Sequence, residues 1–202
     1  MNTALYGSVV VTLFVIMDPI GIIPVFLGLV GDRTPREIHR LAWQAALTSL
    51  AVIGGFAIFG DAILTYLHIS LPALRVAGGL LLLVVALQLL MAGEFRVSAA
   101  TDKANIALVP LGMPLLAGPG AIVAAILFVR SASAPGDLFA IAVGIITIHV
   151  IIWLSLRFST TILRVLRRAG VTVISRIAGV LLAAIAVQLI ADGIHEFIVS
   201  WQ

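Results

Sequence analysis

Asp18-Pro19-Ile20-Gly21, with Pro24 close behind, interrupts one long apolar segment, and Gly118-Pro119-Gly120 interrupts another. Proline removes a helix donor and clashes with the preceding turn, so each segment splits into two half-helices around unpaired backbone groups. Lipid cannot satisfy such groups; they must be buried in protein or line a wet cavity. Asp18-Pro19 reads as cap and first residue of the second half-helix in the first segment, and Gly118-Pro119 repeats the device in the other. Each second half-helix aims free N–H groups and roughly half a positive charge at its gap, which suits a carboxylate. The carbonyls freed opposite suit an ammonium. Together they fit a zwitterionic amino acid.

Asp18 is the only acidic residue near the centre of an apolar segment. A midplane carboxylate is costly and marks a functional site by default. It can take a substrate ammonium, carry a coupling proton, or cap a helix. Gln88 and Gln188 lie in two further apolar segments, where they can bond substrate or tie helices together beside small residues such as Gly79 and Gly179. His149, opposite the repeat position of Ser49, is a candidate proton relay or a core histidine bonded to a neighbouring carbonyl. His195 with Asp192 and Glu196 resembles metal-ligand chemistry only superficially; its spacing at a terminal helix end predicts solvated side chains, and no metal or other cofactor is expected. Walker A, HExxH and GxSxG motifs are all absent from the sequence, so no enzyme activity is expected.

These residues must be positioned by membrane helices. The 202-residue chain is 62% hydrophobic and 10% charged, with a mean hydropathy of +1.23, against a charged fraction of about a quarter in soluble domains. Six apolar stretches match spans of about 17 to 25 residues: 5–29, 42–60, 74–92, 106–129, 138–156 and 175–192. The remainder is too short for a separate soluble domain. The amino-terminal run exceeds a signal h-region and is read as the first span. Zero cysteines excludes disulfides and thiolate metal sites. A pI near 10.2 invites a nucleic-acid partner, but the basic residues sort into loops and do the work of topology.

The two breaks are halves of a repeat, their prolines 100 residues apart. At that offset Gly79, Leu81, Leu82, Ala86, Gln88, Leu89 and Gly93 meet identical residues at 179, 181, 182, 186, 188, 189 and 193. Three spans per half require the second copy to enter the membrane from the opposite side. Loop charge agrees: Arg33, Arg36 and Arg40 face a counterpart holding only Asp137, whereas 61–73 lacks Lys and Arg and 161–173 holds Arg164, Arg167 and Arg168. Loops one, three and five are therefore expected in the cytoplasm and both termini outside. The fold expected is an all-α membrane protein of six transmembrane helices, arranged as inverted three-helix repeats over 1–100 and 101–202, with spans one and four broken at the midplane. Alternating access follows from two near-equivalent halves.

Met17-Asp18-Pro19-Ile20-Gly21-Ile22-Ile23-Pro24-Val25-Phe26-Leu27 and Pro114-Leu115-Leu116-Ala117-Gly118-Pro119-Gly120-Ala121-Ile122 resemble the paired signatures of the MarC family, which includes the SnatA-type small neutral amino acid transporters. The resemblance covers the whole chain. It implies secondary transport of small neutral amino acids such as glycine and alanine, a proton as coupling ion, and a bacterial or archaeal inner membrane. The expected substrate site comprises Asp18, Pro19, Gly21, Pro24, Gly118, Pro119, Gly120, Gln88 and Gln188, with Asp18 and His149 as proton-coupling candidates. Competing readings are a passive channel, an exporter of drugs or other metabolites, and a membrane enzyme or scaffold without transport. Partners expected are the amino acid, protons and lipid, with no nucleic acid; an oligomer is compatible.

Overall fold

A computed structural model describes residues 2–31, 33–91 and 116–200. Its elements are α1 (Thr3–Met17), α2 (Ile22–Val30), α3 (Pro35–Tyr66), α4 (Leu71–Met91), α5 (Pro119–Ser131), α6 (Pro135–Arg157) and α7 (Ser159–Ser200). All regular structure among the described residues is helical. Four helices are long and apolar enough to cross a membrane, namely α3, α4, α6 and the Ala169–Val199 stretch of α7. Helices α1 and α2, bent by 53° at the first break, add a fifth span if counted together. The expected fourth span is represented by α5, its second half; Pro110, Pro114, Gly93, Arg96 and Lys103 lie outside the described residues.

Local chemistry sets the helix ends. Thr34 and Glu37 form a reciprocal capping box with Pro35 in the first turn, so α3 starts well ahead of its apolar stretch at 42–60. Proline also opens α5 and α6, where a missing N–H costs nothing. Arg167 adopts a left-handed φ of 54° inside α7, kinking it ahead of the apolar Ala169–Val199 stretch.

Polar contacts define the two ends of the bundle. At one end Asn2 donates to Asp137, Arg130 pairs with Asp61, and Arg75 pairs with Glu196. Both described chain ends lie there. At the other, Trp43 meets Trp153 edge-on at 5.7 Å and Arg157 sits over Trp153.

The core has two parts. A larger cluster gathers residues of α1, α2, α3, α5 and α6 around Leu13, Phe26, Ile53 and Ile148; a smaller one joins Val15 to Leu82, Ala86, Leu182 and Ala186 on α4 and α7. Lipid is as apolar as leucine, so close van der Waals packing rather than water exclusion must hold the α4–α7 seam. Glycine permits that approach. A Cβ on Gly79 would stand 2.7 Å from the Ala186 carbonyl oxygen, and one on Gly179 would stand 3.3 Å from that of Ala86. The contact is reciprocal at an offset of 100, as an isologous pair across a two-fold axis must be. The seam is also antiparallel, since Gly193 near the end of α7 meets Pro72 at the start of α4. From 77 to 91 and from 177 to 191 the burial pattern is the same position by position.

The seam predicts a graded glycine series. Gly79→Ala forces a Cβ against fixed backbone and costs about 1–3 kcal/mol of stability. Gly7→Ala, with nothing within 4 Å, is neutral or gains up to about 1 kcal/mol from helix propensity. Thermal unfolding in detergent checks the ranking; equal melting of the two variants contradicts it.

Candidate functional site

The first break is built by Asp18 and Pro19. Proline disfavours the right-handed region for the residue before it, and Asp18 takes a left-handed conformation, φ 37° and ψ 67°, that its short polar side chain tolerates. It plays two roles at once. Its N–H closes α1 on Phe14, its carbonyl accepts from Ile22, and its Oδ1 accepts from the Gly21 N–H at 3.0 Å. The side chain thus caps the turn that leads into α2, although the helix proper begins only at Ile22. Pro24 does not make a second interruption: it is the third residue of α2, where its missing donor is one a helix start leaves unpaired.

At the second proline-glycine motif, the start of α5 has the expected form. Gly118 caps α5, Pro119 is its first residue, and the Gly118 carbonyl accepts from Ala121 and Ile122. Among the described residues no side chain caps this helix. Its amino-terminal charge is left for whatever occupies the space in front of it.

Both breaks open on one cavity of about 210 Å³. Asp18 and Gly21 from the first break, Gly118, Pro119 and Gly120 from the second, and Gln88 from α4 all line it. The rest of the wall is apolar, and Leu82 closes one side against Gly120, where a Cβ would fall 2.1 Å from its Cδ2. Such a space suits a small solute, being below the roughly 300–1,000 Å³ of drug-sized sites. Pro19 is buried beside the cavity without lining it, and Pro24 is exposed on α2. Gln188 also lies elsewhere, donating to Asp192 at 2.7 Å one turn along α7.

Asp18 is buried, and its second oxygen, Oδ2, is sealed from solvent without a hydrogen-bond partner. Leaving a charged acceptor so is expensive. Sequence reasoning missed a neighbour of this oxygen, Ser175 of α7. A Cβ built on Gly21 would lie 1.9 Å from Asp18 Oδ2 and 2.2 Å from Ser175 Oγ, so the two oxygens are neighbours across Gly21. Nothing in the sequence signals this meeting, because 157 positions separate Ser175 from Asp18 and the repeat partner of Ser175 is Arg75.

His149 is buried away from the cavity. Its Nδ1 lies 2.7 Å from the Ile145 carbonyl oxygen and its Nε2 3.2 Å from Ser49 Oγ. A carbonyl only accepts, so Nδ1 carries the proton and Nε2 accepts from the serine hydroxyl. The ring is then neutral and has both nitrogens engaged. Ser49 and His149 are themselves 100 residues apart and join α3 to α6.

Comparison with known proteins gives the chain a family. The model of the MarC family of integral membrane proteins matches residues 3–198. The chain belongs to the MarC family. Among its relatives, a UPF0056 membrane protein of Methanocaldococcus jannaschii is 36% identical over 190 residues, covering 91% of this chain and 93% of the relative. YhcE of Escherichia coli, another UPF0056 membrane protein, is 34% identical over 197 residues, covering 94% and 91%. YvbG of Bacillus subtilis is 33% identical over 194 residues, covering 92% of each chain. No solved structure matches. The chain is an integral membrane protein of a family found in bacteria and archaea.

The Ser49–His149 pair predicts an asymmetric mutational response. Ser49→Ala leaves Nε2 buried and unpartnered and costs about 1–3 kcal/mol, whereas the double variant Ser49→Ala with His149→Leu removes both partners and recovers much of the loss. Melting temperatures of the three proteins in detergent measure this. A double variant less stable than the single one would contradict the assignment.

Proposed function

We propose that this MarC-family chain is a proton-coupled secondary transporter of small neutral amino acids of the glycine and alanine type. The observation that carries this reading is the convergence of both helix breaks on one small cavity, with a buried carboxylate on one side and an uncapped helix start on the other. The start of α5 offers N–H groups and positive potential to a substrate carboxylate, and the Asp18 side attracts an ammonium. Leu82, Leu116 and Ala121 give the cavity an apolar wall that suits a short aliphatic side chain.

The sealed position of Oδ2 favours Asp18 as proton carrier over direct ammonium ligand, since a proton needs no space of its own. His149, engaged at both nitrogens, is left as a pin between helices. Antiparallel, reciprocal packing of α4 on α7 supports reading 1–100 and 101–202 as inverted repeats of a six-span fold, with one repeat rocking on the other for alternating access. Topology follows from charge. At the bundle end that holds both described chain ends, Arg75 and Arg130 are each neutralised by an ion pair, while Arg36, Arg40 and Arg157 lie toward the other. We place that other end in the cytoplasm of an inner membrane, with both termini outside. The protein would work without cofactor or catalytic step.

Reconstitution in liposomes with labelled alanine and glycine tests the reading. Uptake against a concentration gradient is expected with an imposed proton gradient and lost without it; flux that only equilibrates identifies a passive channel, and no flux rejects transport. Gly120→Leu fills the space held by Leu82 and should cut uptake at least about tenfold, equivalent to about 1.4 kcal/mol, while inserting normally. Wild-type rates in that variant would remove the cavity from the mechanism.

A further inference from the structure

Gly21 poses a question that its backbone does not answer. Its φ of −66° and ψ of −25° are ordinary right-handed helical values, which any residue adopts, and glycine at such a position sacrifices helix stability relative to alanine. What forbids a side chain here is space. The missing Cβ would overlap Asp18 Oδ2 and Ser175 Oγ together. The glycine lets an unpartnered, solvent-sealed carboxylate oxygen from the first half of the chain lie beside a hydroxyl from the second.

We propose that Ser175 is the positioning residue through which α7 responds to the proton on Asp18. With Asp18 ionised, the serine hydroxyl turns its hydrogen to Oδ2 and draws α7 onto the break between α1 and α2. When a proton from the aqueous phase binds Oδ2, the carboxylic acid becomes a donor, the serine hydrogen must turn elsewhere, and the contact changes sign from acceptor to donor. The charge state of one atom is thereby passed to another helix as a change in packing. The kink at Arg167, eight residues before Ser175, gives the Ala169–Val199 stretch a bend about which to re-seat. Only one half of the chain has this pair: at the repeat positions stand Gly118 and Arg75, and Arg75 is already paired with Glu196. Coupling is therefore built on one side of a nearly symmetric structure.

Among the described residues, other titratable groups do not compete for the site. The cavity walls supplied by α4 and α5 contain none. On α6 the buried histidine is held by Ser49 and Ile145, and on α7 the adjacent Arg176 is exposed. This inference rests on the transporter reading for its purpose, yet the contact can be examined without transport.

Infrared difference spectra of the purified protein in lipid, recorded across a pH series, provide the first readout. A protonated-carboxyl band that disappears in Asp18→Asn identifies the group. Ser175→Ala removes a donor to the ionised form, so its midpoint should rise and the band should change frequency; Ser175→Thr should restore both. An unchanged band and midpoint in Ser175→Ala would overturn the proposal. The second readout uses liposomes: Ser175→Ala should retain alanine exchange at equal pH but lose at least about tenfold of gradient-driven accumulation, and a wild-type pH profile there would also overturn it. Should Ser175→Ala fail to insert, Ser175→Cys, with a weaker donor, is expected to show the same shifts in smaller degree. If the infrared shift is found while wild-type protein moves no amino acid, the transporter reading fails and the Asp18–Ser175 contact stands.

Discussion

Everything in this structure follows from the rule that backbone polar groups inside a bilayer need partners. A continuous helix meets it internally. Asp18-Pro19 and Gly118-Pro119 break it deliberately, and the fold is arranged so that the breaks face each other in protein rather than lipid. Asp18 supplies part of the cure: its N–H, carbonyl and Oδ1 each close one backbone bond across the first break. At the start of α5 the Gly118 carbonyl accepts from Ala121 and Ile122, and glycine has no side chain to cap the helix.

Holding two such breaks together demands close helix packing without help from water. Glycine provides it at three places. Gly79 and Gly179 bring α4 and α7 within backbone contact, Gly120 admits Leu82 to the cavity wall, and Gly21 admits Asp18 and Ser175 to each other. The small core cluster of Val15, Leu82, Ala86, Leu182 and Ala186 lies beside the cavity, so the seam between the halves and the site share a wall through Leu82.

Much of this was legible in the chain. Hydropathy placed α3, α4, α6 and the apolar part of α7, because a span's length is set by the bilayer and leaves a run of apolar residues. The breaks were legible because proline and glycine act locally. The 100-residue offset of the sequence reappears as reciprocal glycine contacts between α4 and α7 and as the Ser49–His149 bond. Less legible was the fate of Pro24, which reads as a second interruption yet fits the first turn of α2, since only the position of the helix start decides whether a proline disrupts. Gln188 shares a repeat position with Gln88 but not its cavity; the broken helices are unlike, one carrying an aspartate and the other a glycine.

The sequence by itself determined the class of protein, the place of the long apolar helices and the proline-marked helix starts, since each depends on composition or on neighbours along the chain. Tertiary structure alone decided what meets at the breaks. Asp18 and Ser175 are joined by packing between α7 and the α1–α2 turn, and no periodicity or motif records a contact made across 157 positions through the empty side of a glycine. The same packing seals Oδ2 from solvent.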